Sequence, residues 1–127
     1  MASRPLQRTI AYYKAQGIRC ETVERWIPRP GVPGGGFRKD LMNIIDCIAL
    51  GPDKIIGVQC CAGSGNAAHI RKLMEDEREN TLEWVSKPYT RLEIHAWRQL
   101  KKVRGKAAKY WSPIVTVIDM SDLKGGT

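Results

Sequence analysis

The chain has 127 residues, 43% hydrophobic and 27% charged, which suits one globular domain and leaves no room for two separate cores. It contains neither an apolar stretch of about 18 residues nor a basic-then-apolar leader, so the expectation is a soluble, cytoplasmic protein. Lys and Arg number 21 against 13 Asp and Glu, giving a net charge of +8 and a pI near 9.6, a balance that favours a polyanionic partner and nucleic acid first.

Ser3 is placed to cap a first helix in which Leu6, Ile10 and Tyr13 follow helical spacing, and Gly17 supplies the left-handed residue that ends it. From Ile18 to Ile27 the residues Thr22, Val23, Trp26 and Ile27 read as a strand. The run from Pro28 to Gly36, rich in Gly and Pro, reads as a mobile loop that closes over DNA or serves as a hinge. Leu41 to Leu50 and Lys54 to Cys61, separated by Gly51, Pro52 and Asp53, read as a hairpin of two largely buried strands.

Asn66 is positioned to cap the next helix, with Ala67, Ile70, Leu73 and Met74 as its buried stripe and Arg71, Lys72 and Glu75 toward water. Thr81 to Ser86 reads as a second helical turn or two that stops at Lys87, because Pro88 disfavours helix there. Arg91 to Arg98 then alternates Leu92, Ile94 and Ala96 against Glu93, His95 and Trp97, a strand with His95 on its exposed face. A basic connection leads to a β-branched strand, Pro113 to Met120, and residues 121–127 read as a flexible tail after a single domain spanning 1–120. The fold class is therefore α/β: one domain with a central mixed sheet flanked by helices, its core ordered αβββαβ.

Two polar side chains interrupt the apolar hairpin, Asp46 on its first strand and Gln59 on its second. Strands of a hairpin lie about 4.8 Å apart, so both can address one point in space. Taken singly, Asp46 could satisfy backbone or Arg38, with Gln59 as its hydrogen-bond partner. Their joint placement before a Gly-rich turn into a helix, in a basic chain, favours a phosphate-facing site.

The element order and these residues resemble the PD-(D/E)XK nuclease superfamily, particularly its small Holliday-junction-resolvase-like and phage-encoded members. The resemblance implies that Asp46 and the tripeptide Gln59–Cys60–Cys61 stand where the family keeps its Asp and E-x-K. It further implies a catalytic group of Asp46, Gln59, Asp40 and Cys61, and a Mg²⁺ or Mn²⁺ ion held by Asp46, Gln59, the Cys60 backbone carbonyl and Asp40. Asp40 is placed on the face of Asp46 if the strand is regular. Gln59 and Cys61 depart from the common Glu and Lys, so the cation must come from elsewhere, with Arg71, Lys72 and Lys54 nearest in sequence. The family's first-helix Glu has only Gln7 and Gln16 as counterparts here, and Glu24 on the following strand is its substitute.

Six cations, Arg98, Lys101, Lys102, Arg104, Lys106 and Lys109, occur without an acid between Trp97 and the pair Tyr110–Trp111, which suggests a DNA-contacting arm with stacking surfaces. Ser64 and Asn66 at a helix start, with Arg71 and Lys72 beyond, extend the expected DNA-binding set. The run Gly63 to Ala68 also matches G-x-G-x-x-A, but the acid expected about 20 residues later falls at Glu83 inside a helix, against a dinucleotide site. Four cysteines without a C-x-x-C pair suggest reduced thiols, and adjacent Cys60 and Cys61 point to opposite strand faces, against structural zinc even with His69 and His95 present.

The leading expectation is a Mg²⁺- or Mn²⁺-dependent DNA endonuclease acting on branched or phage DNA. The alternatives are a nuclease-like DNA-binding module whose chemistry has decayed and a structural protein with an acidic protein partner. The resemblance also implies a homodimer, for which Trp84, Trp97 and Trp111 are the candidate interface aromatics.

Overall fold

The computed structural model describes residues 4–124. Helix α1 (Arg4–Lys14) buries Leu6, Thr9 and Tyr13, with Ile10 partly buried on the same stripe, and Gly17 at φ +75° terminates it as expected. The proposed Ser3 cap lies outside the described residues.

The span expected as one strand from Ile18 to Ile27 divides. Strand β1 (Cys20–Thr22) joins the main sheet, while β2 (Arg25–Pro28) pairs with β3 (Gly36–Lys39) in a separate two-stranded ribbon. The Gly/Pro run is thus the tip of a hairpin, closed by Arg29 N–H to the Gly35 carbonyl (3.0 Å) and Gly35 N–H to the Val32 carbonyl (2.9 Å). Gly36, at φ +151°, lies under Trp26: a Cβ there would stand 2.9 Å from the indole ring.

The first strand of the central hairpin is also shorter than the Leu41–Leu50 run suggested. Strand β4 covers only Cys47–Leu50, and the residues before it form a tight turn in which Met42 (φ 55°) and Asn43 (φ 62°) are both left-handed. Asn tolerates that conformation, whereas for Met it costs on the order of 1–2 kcal/mol. Apolar content drew the strand boundary too early, because Ile44 and Ile45 are fully buried without belonging to the ladder.

Strand β5 (Ile55–Ala62) pairs antiparallel with β4 and parallel with β6 (Thr90–Lys101), which in turn pairs antiparallel with β7 (Lys109–Ile118). The mixed sheet has the order β1-β4-β5-β6-β7. A parallel pair needs a crossover, here a 3₁₀ turn (Gly63–Gly65), α2 (Asn66–Arg71), a π-helical turn (Lys72–Asp76) and α3 (Arg78–Val85). The second helix therefore starts at Arg78, ahead of the expected Thr81.

Both faces of the sheet are covered. Helix α1 packs with Cys20, Cys47, Ala49, Ile56, Val58 and Cys60 on one face, and Ile44, Ile45, Leu73, Leu92, Ile94 and Ala96 form the core of the other. Every residue from Leu92 to Trp97 is buried, so the alternation in β6 separates two cores rather than core from solvent, and His95 is 0% exposed instead of facing water. Gly57 permits this packing, because a Cβ would meet Ile45 at 2.7 Å and Trp84 at 3.0 Å.

Three further expectations change. Asn66 opens α2 instead of capping it, with its Oδ1 buried and unpartnered among the described residues. Ala67 is exposed, leaving Leu73 with partly buried Ile70 and Met74 as the inward stripe. Residues expected in a flexible tail form α4 (Met120–Lys124), whose Leu123 is fully buried and whose Leu123 carbonyl accepts a hydrogen bond from Arg78. No helix among the described residues is long and apolar enough to cross a membrane.

If α4 is part of the core, Leu123→Ala costs about 2–5 kcal/mol, read as a lower urea midpoint. An unchanged midpoint would return this segment to the status of a tail.

Candidate metal centre

Asp46 sits where β5 runs past the start of β4. Its N–H donates to the Val58 carbonyl at 2.8 Å, and its own carbonyl accepts from Val23 N–H (2.9 Å) and Glu24 N–H (3.3 Å). Its Oδ2 accepts Cys60 N–H at 2.8 Å and Gln59 Nε2 at 2.8 Å. One residue thereby ties together β5, the link between β1 and β2, and the Gln59 side chain.

The same backbone bonds bring in two more acids. Glu24 is held beside Asp46 by the shared carbonyl, and Asp40 is returned to it by the left-handed turn, closed by reciprocal Leu41–Ile45 backbone bonds of 2.9 and 3.0 Å. Glu24, Asp40 and Asp46 each present an oxygen within 4.8 Å of the others. Asp40 therefore reaches the cluster through a turn, not through the regular-strand register expected for it. Of the residues proposed for the first-helix acid, Glu24 is the one found here, while Gln16 donates to the Tyr12 carbonyl (3.3 Å).

Gln59 turns its amide nitrogen toward the acids, donating to Asp46 and, at 3.3 Å, to Asp40, while its oxygen accepts from Lys72 Nζ at 3.2 Å. Lys72 also lies 3.6 Å from Asp40 Oδ2, so it faces the centre and not water as the helical pattern suggested. The π-helical turn that begins at Lys72 breaks the 3.6-residue period on which that expectation rested. Arg71 is exposed and 4.0 Å from Glu75; Lys54 donates to the Pro88 carbonyl. Of the three nearest cations, Lys72 is the one beside the acids. Arg38, 3.5 Å from Glu24, is a second cation at the rim.

Cys61 is a core residue. It is 6% exposed, packs in the apolar cluster with Ile44 and Leu73, and burial, followed by the influence of Cys60 and Asp46, pushes its thiol up to about 11. With its thiol raised, it is neutral near neutrality and carries no charge toward the centre. Cys60 faces the opposite core, where its sulfur lies 4.0 Å from that of Cys47. In an extended strand the N–H and C=O of one residue point to the same edge, so the Cys60 carbonyl lies on the side from which its N–H bonds Asp46.

Burial is the largest influence on Asp46, raising its carboxyl to about 7; the hydrogen bond and charge of Asp40 add to it, while Cys60 N–H and Gln59 oppose it. Three clustered carboxylates against Lys72 and Arg38 form an all-oxygen anionic donor set of the kind suited to Mg²⁺ or Mn²⁺. Gln59 fits that set through its oxygen only if its amide rotates by half a turn, exchanging the two ends.

The expected DNA-contacting residues fall into two groups. Ser64 is exposed on the 3₁₀ turn and Asn66 is half-buried. Arg98, Lys101 and Lys109 are exposed on β6 and β7, while Lys102, Arg104 and Lys106 form the exposed turn between them, so the basic connection is a hairpin arm. Of its bordering aromatics, Trp97 is buried and donates to Thr9 (2.9 Å), and Trp111 has the Arg8 guanidinium 3.5 Å over its ring. Tyr110 stays 43% exposed. Trp84 donates to the Arg91 carbonyl at 3.0 Å.

A second polar cluster, which the sequence did not reveal, lies under α1. Glu93 accepts from Tyr13, from His95 Nε2 (2.8 Å) and from Arg91 (2.7 Å), and Thr9 lies 3.2 Å from His95 Nδ1. Trp97 donates to Thr9, freeing the Thr9 hydroxyl to donate to Nδ1, so the bonds are satisfied with the His95 proton on Nε2. Burial alone would raise Glu93, but the bonds from His95, Tyr13 and Arg91 outweigh it and hold the carboxyl at about 2.

Fold and site thus define an α/β protein with a mixed sheet and a triple-carboxylate centre at one strand end. Comparison with family models, with curated proteins and with solved structures gives no match.

The raised Asp46 carboxyl has a testable consequence. Its folded value of about 7 exceeds the unfolded value, so the folded chain holds an extra proton between the two and loses stability as pH rises through that window. Asn at position 46 retains an oxygen for Cys60 N–H and cannot ionise. The urea-midpoint difference between Asp46→Asn and the parent should therefore grow in the variant's favour from about pH 5 to about pH 8. A difference independent of pH would overturn the assignment.

Proposed function

We propose that this protein is a metal-dependent deoxyribonuclease of the PD-(D/E)XK type. The observation that carries the reading is the convergence of Glu24, Asp40 and Asp46, from three separate chain segments, within 4.8 Å of one another and beside Lys72, in a chain of net charge +8.

In this reading Asp46, Asp40 and Glu24 hold Mg²⁺ or Mn²⁺, with the Cys60 carbonyl and a rotated Gln59 amide as neutral oxygen ligands. When bound, the ion supplies Lewis acidity toward a phosphodiester oxygen and activates water. Asp46 must be deprotonated to ligate, so binding is opposed by protons below its raised pKa. Lys72 holds Gln59 and Asp40 in place and supplies a positive charge against which the charge of a phosphoryl transition state develops. It takes the part that Cys61, being buried and neutral, does not. Arg38 at the rim and the cations of the β6–β7 arm bind the sugar–phosphate backbone.

The Gln59 amide also favours a second reading. Donating to both Asp40 and Asp46, it partly neutralises the acids without an ion, as in a nuclease-like module that binds DNA but does not cleave it. Metal separates the two.

With Mg²⁺ or Mn²⁺, the purified protein should cut branched, linear or single-stranded DNA, and Asp46→Asn should lower the rate by about a hundredfold or more while remaining folded. Full activity in that variant, or DNA binding without cleavage in the parent, would reject the nuclease reading. Calorimetric Mn²⁺ affinity should rise by up to about tenfold per pH unit below the Asp46 pKa and level off above it. A flat profile would exclude Asp46 as a ligand.

A further inference from the structure

The ribbon β2–β3 is rooted in the acidic centre at both ends: Glu24 immediately precedes β2 and Asp40 immediately follows β3. From Arg25 to Lys39 it carries Arg25, Arg29, Arg38 and Lys39 and no acid. It also exposes two large aromatic side chains, Trp26 (54%) and Phe37 (55%), on a sheet that pairs only with itself. Neither is needed for the core, and exposed aromatics of this size among cations form a stacking surface for bases.

Period-two alternation sorts the ribbon's faces. Phe37 and Lys39 share one face and Trp26 and Arg38 share the other, given the pairings Ile27↔Phe37 and Trp26↔Arg38. Between the ribbon and the crossover lies a cleft of about 460 Å³ walled by Phe37, Lys39, Asp40, Asn43, Lys72 and Glu77, with Arg38 also reaching it from the strand's other face, so that three cations line it against two acids. The Glu77 carboxylate accepts from Asn80 at 2.9 Å. Lys39, exposed, has no ion pair among the described residues, so its ammonium is available to a phosphate.

We infer that this cleft is the docking groove for an unpaired nucleic-acid strand, with a base stacked on Phe37 and the backbone on Lys39 and Lys72. The inference names the substrate of the proposed centre and so rests on that reading. A single strand is favoured over a duplex because Phe37 needs an open base face, which pairing and stacking deny it. The cleft is also the size of a small-ligand pocket, on the order of 300–1,000 Å³, enough for a nucleotide but not for a double helix. Charge complementarity selects the strand's backbone, and Asn43 offers amide groups for a base edge. Because the ribbon's two roots carry Glu24 and Asp40, a strand held here lies beside the carboxylates.

The test uses fluorescence anisotropy without added metal, with labelled oligo-dT and a blunt duplex of equal length, on the full chain and on the double variant Phe37→Ala, Lys39→Ala. Both side chains are exposed, and the fold of the variant is to be checked by circular dichroism. The parent should bind oligo-dT more tightly than duplex, and the variant should lose about tenfold or more for oligo-dT while changing about twofold or less for duplex. Undiminished oligo-dT binding by the variant, equal or tighter duplex binding by the parent, or no binding to either probe would overturn the groove. Asp46→Asn should bind oligo-dT at least as well as the parent, because it removes an anionic group near the groove. Failure of the nuclease reading appears separately: oligo-dT bound through Phe37 and Lys39 with no metal-dependent cleavage by the parent.

Discussion

The centre depends on an edge that the sheet leaves unpaired. Strand β5 extends beyond β4, so the Cys60 N–H has no strand partner on that side, and a buried orphan donor costs about 1–3 kcal/mol. The Asp46 carboxylate takes its place at 2.8 Å. That bond forces an acid into the interior, which in turn explains its raised pKa, the Gln59 amide turned toward it and the nearby Lys72. The structural account of Asp46 as a backbone partner and the account of Asp46 as a ligand therefore describe the same geometry, because a carboxylate has a second oxygen.

Strain and irregularity gather around this point. The left-handed Met42, the divided β1–β2 span and the π-helical turn at Lys72 each break a local pattern, and each delivers a charged group: Asp40, Glu24 and Lys72. Deviations that carry functional groups to one place differ from scattered defects, which would bring nothing together. The opposite face contrasts with this. There Tyr13, Glu93, His95 and Thr9, joined by Arg91 and Trp97, form a hydrogen-bonded network that anchors α1 to β6.

The basic charge is likewise organised. One part lies on the long β6–β7 arm, where Trp97 is buried against Thr9 while Tyr110 and Trp111, the latter under Arg8, stay exposed. Another lies on the β2–β3 ribbon, where Trp26 and Phe37 remain open. Long-range attraction needs only the total charge, whereas stacking needs open rings. The ribbon, close to the carboxylates, combines charge with exposed rings.

Composition and pattern sufficed for the α/β class, the β4–β5 hairpin, the helical crossover and the pairing of Asp46 with Gln59, because apolar runs bounded by turn residues report local geometry directly. Glu24 stands out in the sequence only as a substitute for a first-helix acid, and Lys72 only as one of three nearby cations on the water-facing side of a uniform helical period. Cys61 stood at a motif position, but the apolar packing around it keeps its thiol neutral. His95 seemed exposed because alternation cannot distinguish a half-buried strand from one between two cores. The sequence determined which groups could act; tertiary structure alone decided which meet, since turns, a π-helical insertion and burial on both faces depend on contacts between residues distant in the chain.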